Sequence, residues 1–290
     1  MVATLDAAMT AARLAPDVDV QGDSTRLFVH RSLRDGEIYF VSNATDRPAT
    51  GEMSFRIAGK APELWRADDG TIAPLSYRTE GGRTYVNFPM TANDAVFVVF
   101  RARATVPSRR IPERVETTVT TLAGPWTVAF APNLGAPATA TFPELVSWTT
   151  SSDAGVKYFS GTGTYTKALQ VPAEWRAGGS RLLLDLGTVK NIADVRVNGR
   201  FVGFAWRAPF RVDVTDAVTS GANTIEIRVS NLWPNRLIGD KQPGVARKYA
   251  FAIFDPFRAD SPLLPSGLLG PVRVLRQTSV TTTSQQGSDR

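Results

Sequence analysis

Cysteine is absent from this 290-residue chain, and histidine occurs once, as His30. The missing thiols remove disulfides, cysteine nucleophiles and thiolate zinc sites together, and a single imidazole cannot build a multi-histidine metal centre. There is no P-loop, no GxGxxG after a strand and no HExxH, which excludes the usual phosphate cradles, dinucleotide folds and zinc-hydrolase helices. No apolar run approaches the roughly 20 residues of a membrane-spanning helix, so no membrane partner is expected. Positive charge is only in modest excess, 33 Lys and Arg against 27 Asp and Glu, for a net +6. Its densest cluster, Arg109, Arg110 and Arg114, is interrupted by Glu113 and has no interleaved aromatics. It reads as solvated charge, and no nucleic-acid partner is expected. A 43% hydrophobic content is ample for one large core or two average ones without metal or disulfide staples.

What is present is β-strand patterning. Residues 4–14, TLDAAMTAARL, place Leu5, Met9 and Ala12 on one helical face before Pro16 stops the segment. So short a helix is marginal alone, and residues 1–22 read as the helical stub of a preceding domain. From Arg26 to Arg103 the period becomes two: RLFVHRS, GEIYFVSNAT, GEMSFRIA, APELWRAD, RTYVNFPM and AVFVVFRA are separated by turn formers such as Asp69-Gly70 and Gly81-Gly82. Residues 23–104 are therefore predicted to form an antiparallel β-sandwich. Residues 105–117, with two prolines and clustered charge, read as a linker, and 118–276 as a second strand-rich module. There Asn198-Gly199 has the composition of a two-residue hairpin turn. The polar 277–290 read as a disordered tail. The expected fold class is all-β, in two antiparallel β-sandwich modules.

Specific phrases sharpen this. The second module carries Pro125-Trp126, KYFSG at 157–161, LDLG at 184–187, Val197-Asn198-Gly199, GFAW at 203–206 and NLWPNRLIGD at 231–240. Together they resemble the galactose-binding-like jelly roll that glycoside hydrolase family 2 uses as its sugar-binding domain. The NLWPNRLIGD run is most similar to large bacterial glycosidases of the α-L-rhamnosidase type, glycoside hydrolase family 106. Pro16-Asp17-Val18, FVHR at 28–31 and IYFVSN at 38–43 resemble the β-domain that follows the catalytic barrel in those enzymes. The resemblance implies carbohydrate as partner, and it implies an N-terminal catalytic (β/α)-barrel that is missing here, since a barrel needs about 250 residues of alternating strand and helix. Met1–Leu14 lacks a basic segment followed by an apolar core, so the chain as written is expected in the cytoplasm, the parent enzyme being periplasmic or secreted.

Glycoside hydrolysis needs two carboxyls about 5–10 Å apart across a sugar, one with a raised pKa. The acids that could serve a compact, self-sufficient glycosidase are Asp153, Asp194 and Asp240, and none forms an evident pair. Sugar binding asks only for aromatic faces and hydrogen-bonding groups on converging loops. The candidates are Trp148, Trp206, Asn231, Trp233, Asn235, Arg236 and Asp240, with His30 on the first module. Each has a structural alternative: tryptophans as core or loop plugs, Asp240 paired with Arg236 at i,i+4, and His30 as a hydrogen-bonding strand residue. On the resemblance, Asn235 and Asp240 help grip a substrate sugar when a barrel is present. No cofactor is required, and a structural calcium on jelly-roll loops stays open. The expected function is a non-catalytic carbohydrate-binding or accessory region. The rivals are the compact glycosidase and purely structural bracing modules.

Overall fold

Inward-facing apolar residues on the strands build two separate cores. The computed structural model describes residues 4–22 and 26–280, and the chain divides into the units Met1–Pro112 and Glu113–Arg290. The first unit pairs two five-stranded antiparallel sheets. One runs Val18–Val20, Glu52–Phe55, Arg83–Asn87, Tyr77–Glu80, Ser108–Arg109; the other runs Arg26–Ser32, Glu37–Asn43, Ala95–Arg103, Lys60–Trp65, Ile72–Pro74. Tyr39, Val41, Val96, Val98 and Phe100 from the second sheet bury against Met53, Phe55, Tyr77 and Val86 of the first. Tyr39 and Phe55 meet edge-on with centroids 4.7 Å apart, a favoured aromatic geometry across the interface.

The second unit sets a six-stranded antiparallel sheet against a four-stranded one. The larger runs Thr139–Phe142, Trp126–Phe130, Thr162–Val171, Gly221–Ser230, Ile192–Val197, Arg200–Ala205; the smaller runs Glu113–Thr121, Arg273–Val280, Arg181–Asp185, Arg211–Asp213. Ile225, Ile227 and Val229 point inward while Thr224, Glu226, Arg228 and Ser230 point out, the period-two pattern of a half-buried strand. Asn198 and Gly199 both have positive φ, 52° and 77°, as the hairpin composition predicted. The all-β class and both antiparallel sandwiches are as expected.

The boundaries differ from the sequence reading. The helix is Leu5–Ala11, with the Thr4 hydroxyl accepting from the Ala7 N–H at 3.2 Å. Val18–Val20, inside the segment read as a stub, pairs with Glu52–Phe55. The segment read as a linker is paired too: Ser108–Arg109 adds to Tyr77–Glu80, and Glu113–Thr121 runs beside Arg273–Val280. Glu113–Thr121 is almost wholly exposed, so it carries no apolar alternation, and its partner is about 160 residues away in sequence. Residues 277–280 of the expected tail complete that last strand, and 281–290 lie outside the described residues.

Trp148 is fully buried, which takes it out of the sugar-contacting set expected from sequence. Its indole N–H donates to the Tyr165 hydroxyl at 2.7 Å, and the Leu268 N–H donates to the same oxygen at 2.9 Å. Space for the indole comes from Gly163, where a Cβ would lie 2.7 Å from Trp148 Cζ2. Tyr165→Phe strands two buried donors at once. Urea denaturation is expected to show a loss of about 2–4 kcal/mol with no change in slope.

Candidate functional site

The long strand Gly221–Ser230 delivers the chain to one end of the second sandwich, where Asn231 fixes the exit. Its amide donates to the Phe159 carbonyl at 2.8 Å and accepts from the Gly161 N–H at 2.9 Å. The helix Pro234–Gly239 follows, with proline in its first turn, where no amide hydrogen is needed. Asn235, buried on that helix, donates to the Leu264 carbonyl at 2.7 Å and accepts from the Leu264 N–H at 2.8 Å. One side chain thus mimics a strand neighbour and closes the base of the 240–264 loop.

Arg236 and Asp240 face each other one turn apart, with side chains only 7% and 5% exposed. Arg236 Nε lies 2.9 Å from Asp240 Oδ1 but off the hydrogen-bond angle, so the contact is an ion pair without a formed hydrogen bond. The other oxygen, Oδ2, accepts from the N–H groups of Tyr249 and Ala250, each at 2.8 Å. Asp240 is therefore spent on neutralising a buried guanidinium and shaping the loop.

Beside this scaffold is a cavity of about 290 Å³ lined by Leu134, Ser160, Gly161, Trp233, Arg236, Tyr249, Ala250 and Phe251. A second, of about 400 Å³, shares Arg236 and Tyr249 and adds Tyr158 and Arg247. Both are near the lower end of the roughly 300–1,000 Å³ typical of small-ligand pockets. Arg236 and Arg247 each sit about 5 Å from the Tyr249 ring centre, which holds the ring as a wall between them. Trp233 is 64% and Phe251 82% exposed, leaving large apolar faces at the rim, and Ile253 and Phe254 extend that loop at 98% and 82%.

Each of the three candidate acids is engaged elsewhere. Asp153 caps the short helix Ala154–Lys157, accepting from the Val156 N–H at 3.1 Å. Asp194 lies on a sheet face between Arg228, at 3.5 Å, and Arg196, at 3.9 Å. Asp240 and Asp255 do line one small cavity, of about 140 Å³, with Lys241 and Lys248. Asp255 is bound by the Lys241 ammonium at 2.9 Å, and that hydrogen bond holds its carboxyl below the usual carboxylate range, the wrong direction for a proton donor. Among the described residues no group of three or more His, Asp or Glu is placed to hold a metal ion.

Of the sequence candidates, the loop end brings Asn231, Trp233, Asn235, Arg236 and Asp240 together, but only Trp233 and Arg236 line the cavity of about 290 Å³. Trp206 is 54% exposed and does not line it. His30 sits in the first unit, its two nitrogens 2.8 Å from Asp17 and 3.0 Å from Glu37, stacked on Tyr39. Sequence reasoning missed Tyr249 and Phe251. The available signal was AFAIF at 250–254, an apolar run with no strand partner in a stretch otherwise rich in turn formers.

Residues 93–259, more than half of the chain, match the family model "Glycosyl hydrolases family 2, sugar binding domain". The chain belongs to that family. Residues 1–79 match the alpha-L-rhamnosidase family model. The rhamnosidase from Novosphingobium sp. PP1Y superposes with a TM-score of 0.89 at 44% identity, covering 94% of this chain and 26% of that one. A protein of Formosa agariphila named "Putative beta-glucuronidase" is 40% identical over 176 residues, 53% of this chain and 15% of that protein. The beta-glucuronidase of Ruminococcus gnavus aligns over 58% of this chain and 29% of its own, at 19% identity and a TM-score of 0.39, too distant to carry an argument. The sugar-binding domain thus accounts for the jelly roll, and the chain spans about a quarter of the rhamnosidase it matches.

Two outcomes test this assignment of roles at the loop end. Asp240→Ala leaves a buried guanidinium unpaired and two N–H groups unbonded, so a loss of about 3–5 kcal/mol is expected in thermal or urea unfolding. For Asp255, whose pKa is lowered in the folded protein, the Lys241 contact stabilises the loop above the ordinary value of 3.8 and is lost as pH falls below it. Trp233 fluorescence is expected to change on acidification below about pH 4, and Asp255→Asn is expected to remove that step.

Proposed function

We propose that this chain is the non-catalytic, carbohydrate-contacting accessory region of an α-L-rhamnosidase-type glycoside hydrolase, working beside a catalytic barrel supplied by such an enzyme. The observation that carries this reading is the commitment of the acids at the loop end. Asp153 caps a helix, Asp240 neutralises a buried arginine, and Asp255 is held ionised by lysine. Hydrolysis requires one carboxyl kept protonated opposite a second. What the loop end offers instead is an aromatic rim, Trp233 and Phe251, with the Arg236 guanidinium beside it, the composition that stacks on a sugar ring and bonds its hydroxyls. The exposed Ile253 and Phe254 next to that rim form the kind of apolar tip that another protein surface buries. The likeness to the Novosphingobium rhamnosidase supports a rhamnosidase-type parent.

A panel of nitrophenyl glycosides, the α-L-rhamnoside and the β-D-glucuronide included, is expected to give no release above the blank. Release that Asp240→Asn abolishes while the variant keeps its fold by circular dichroism and its melting transition would replace this reading with the compact glycosidase. L-Rhamnose or a rhamnoside is expected to raise the melting temperature, because a ligand of the folded state stabilises it by about 2.7 kcal/mol at 100 times its Kd. If no glycan shifts the melting temperature, the modules are braces only.

A further inference from the structure

The outer face of the six-stranded sheet carries an aromatic and ionic cluster that is not part of the loop end. In antiparallel pairing, residues directly opposite point to the same face, with Cβ atoms about 4.5–5.5 Å apart. Asp194 lies opposite Arg228 on one side and Phe204 on the other. The next outward row is Glu226, Arg196 and Phe201. Phe201 and Phe204 are three residues apart, a spacing that puts them on opposite faces of a regular strand. Here the register shifts between Val195 and Arg196, so that Val202 is the extra residue of a β-bulge and both rings turn outward. Their centroids are 4.9 Å apart at 58°. Phe204 is 64% exposed and Phe201 43%.

The polar side of the cluster is partly exposed, with the Arg228, Arg196 and Asp194 side chains at 41%, 36% and 20%. Arg228 stands 3.5 Å and Arg196 3.9 Å from Asp194, ion-pair rather than hydrogen-bond distances, and Asp194 Oδ1 accepts no hydrogen bond. Arg196 Nη1 also donates to the Gly199 carbonyl at 3.4 Å, which leaves the Arg228 guanidinium as the more available donor beside Asp194. Within these two rows the two arginines balance Asp194 and Glu226.

We propose that this face is a second carbohydrate contact surface, taking a neutral oligosaccharide. Phe201 and Phe204 meet the C–H face of a pyranose, and Arg228, Arg196 and Asp194 bond its hydroxyls. The charge balance argues against an anionic sugar, whose carboxylate would gain nothing from guanidiniums already offset by Asp194 and Glu226. A protein partner is the less fitting occupant: two rings bordered by ionised groups are much smaller than the apolar core of a stable interface. The inference rests on the sugar-binding reading above but places contact on a different surface.

Affinity electrophoresis of the whole chain separates the alternatives, using native gels cast with neutral arabinogalactan or rhamnan and, in parallel, polygalacturonate. The probe proteins are the unaltered chain, the double variant Phe201→Ala/Phe204→Ala, and the loop variant Trp233→Ala/Phe251→Ala. All four side chains are solvent-exposed, and far-UV circular dichroism checks that the sheets are intact. Expected is retardation by a neutral polysaccharide that weakens about tenfold in the Phe201/Phe204 variant, in addition to whatever the loop variant loses. Retardation lost only in the loop variant overturns the sheet-face site and leaves the sugar-binding reading standing. Preference for polygalacturonate overturns the choice of a neutral ligand. No retardation of any form by any glycan overturns both.

Discussion

A single phenolic oxygen, Tyr165 Oη, receives two buried donors, the Trp148 indole and the Leu268 backbone N–H. Both would otherwise lose their water partners with nothing in return, a penalty of about 1–3 kcal/mol each. The three residues come from different places: a 3₁₀ turn, the six-stranded sheet, and the strand that follows the long loop. Satisfying one hydroxyl therefore sets where that loop returns to the sandwich. Next to it, Ser147 Oγ accepts from the Ser266 N–H, and the Trp148 N–H donates to the Ser266 carbonyl. The loop end of the domain is anchored from inside its core.

Given that anchor, the polar residues around the loop act mostly as backbone surrogates. Asn231 and Asn235 each use a donor and an acceptor on main-chain groups, and Asp240 holds two loop amides. A long segment without regular structure must satisfy its amides somewhere, and side chains from the short helix supply the partners. Polar atoms used this way are no longer free for chemistry. The surface left over for a ligand is aromatic and cationic: Trp233, Tyr249, Phe251 and one face of Arg236.

This division suits the accessory role proposed above. A stacking surface needs rigidity and exposure but no perturbed acid, and a jelly roll supplies both by fixing loop bases while leaving the tips in water. The exposed run from Phe251 to Phe254 is costly for an isolated domain, because it leaves apolar area hydrated. Its cost is offset where a ligand or a neighbouring surface covers it.

Much of the architecture was legible in the chain itself. Alternation gave the inward sets, such as Ile225, Ile227 and Val229, and Asn198-Gly199 marked its hairpin, because strand period and turn dihedrals are local properties. The motif phrases pointed to the sugar-binding family for the same reason that family models match them. Non-local matters were not legible. The polar strand Glu113–Thr121 is a strand only through its distant partner, and Trp148 is core only because Gly163, Tyr165 and Leu268 surround it. Likewise Phe201 and Phe204 share a face only because pairing with Ile192–Val197 forces a bulge between them. The sequence determined which residues could stack, pair or cap; long-range contacts decided which of them were buried and which were left facing water.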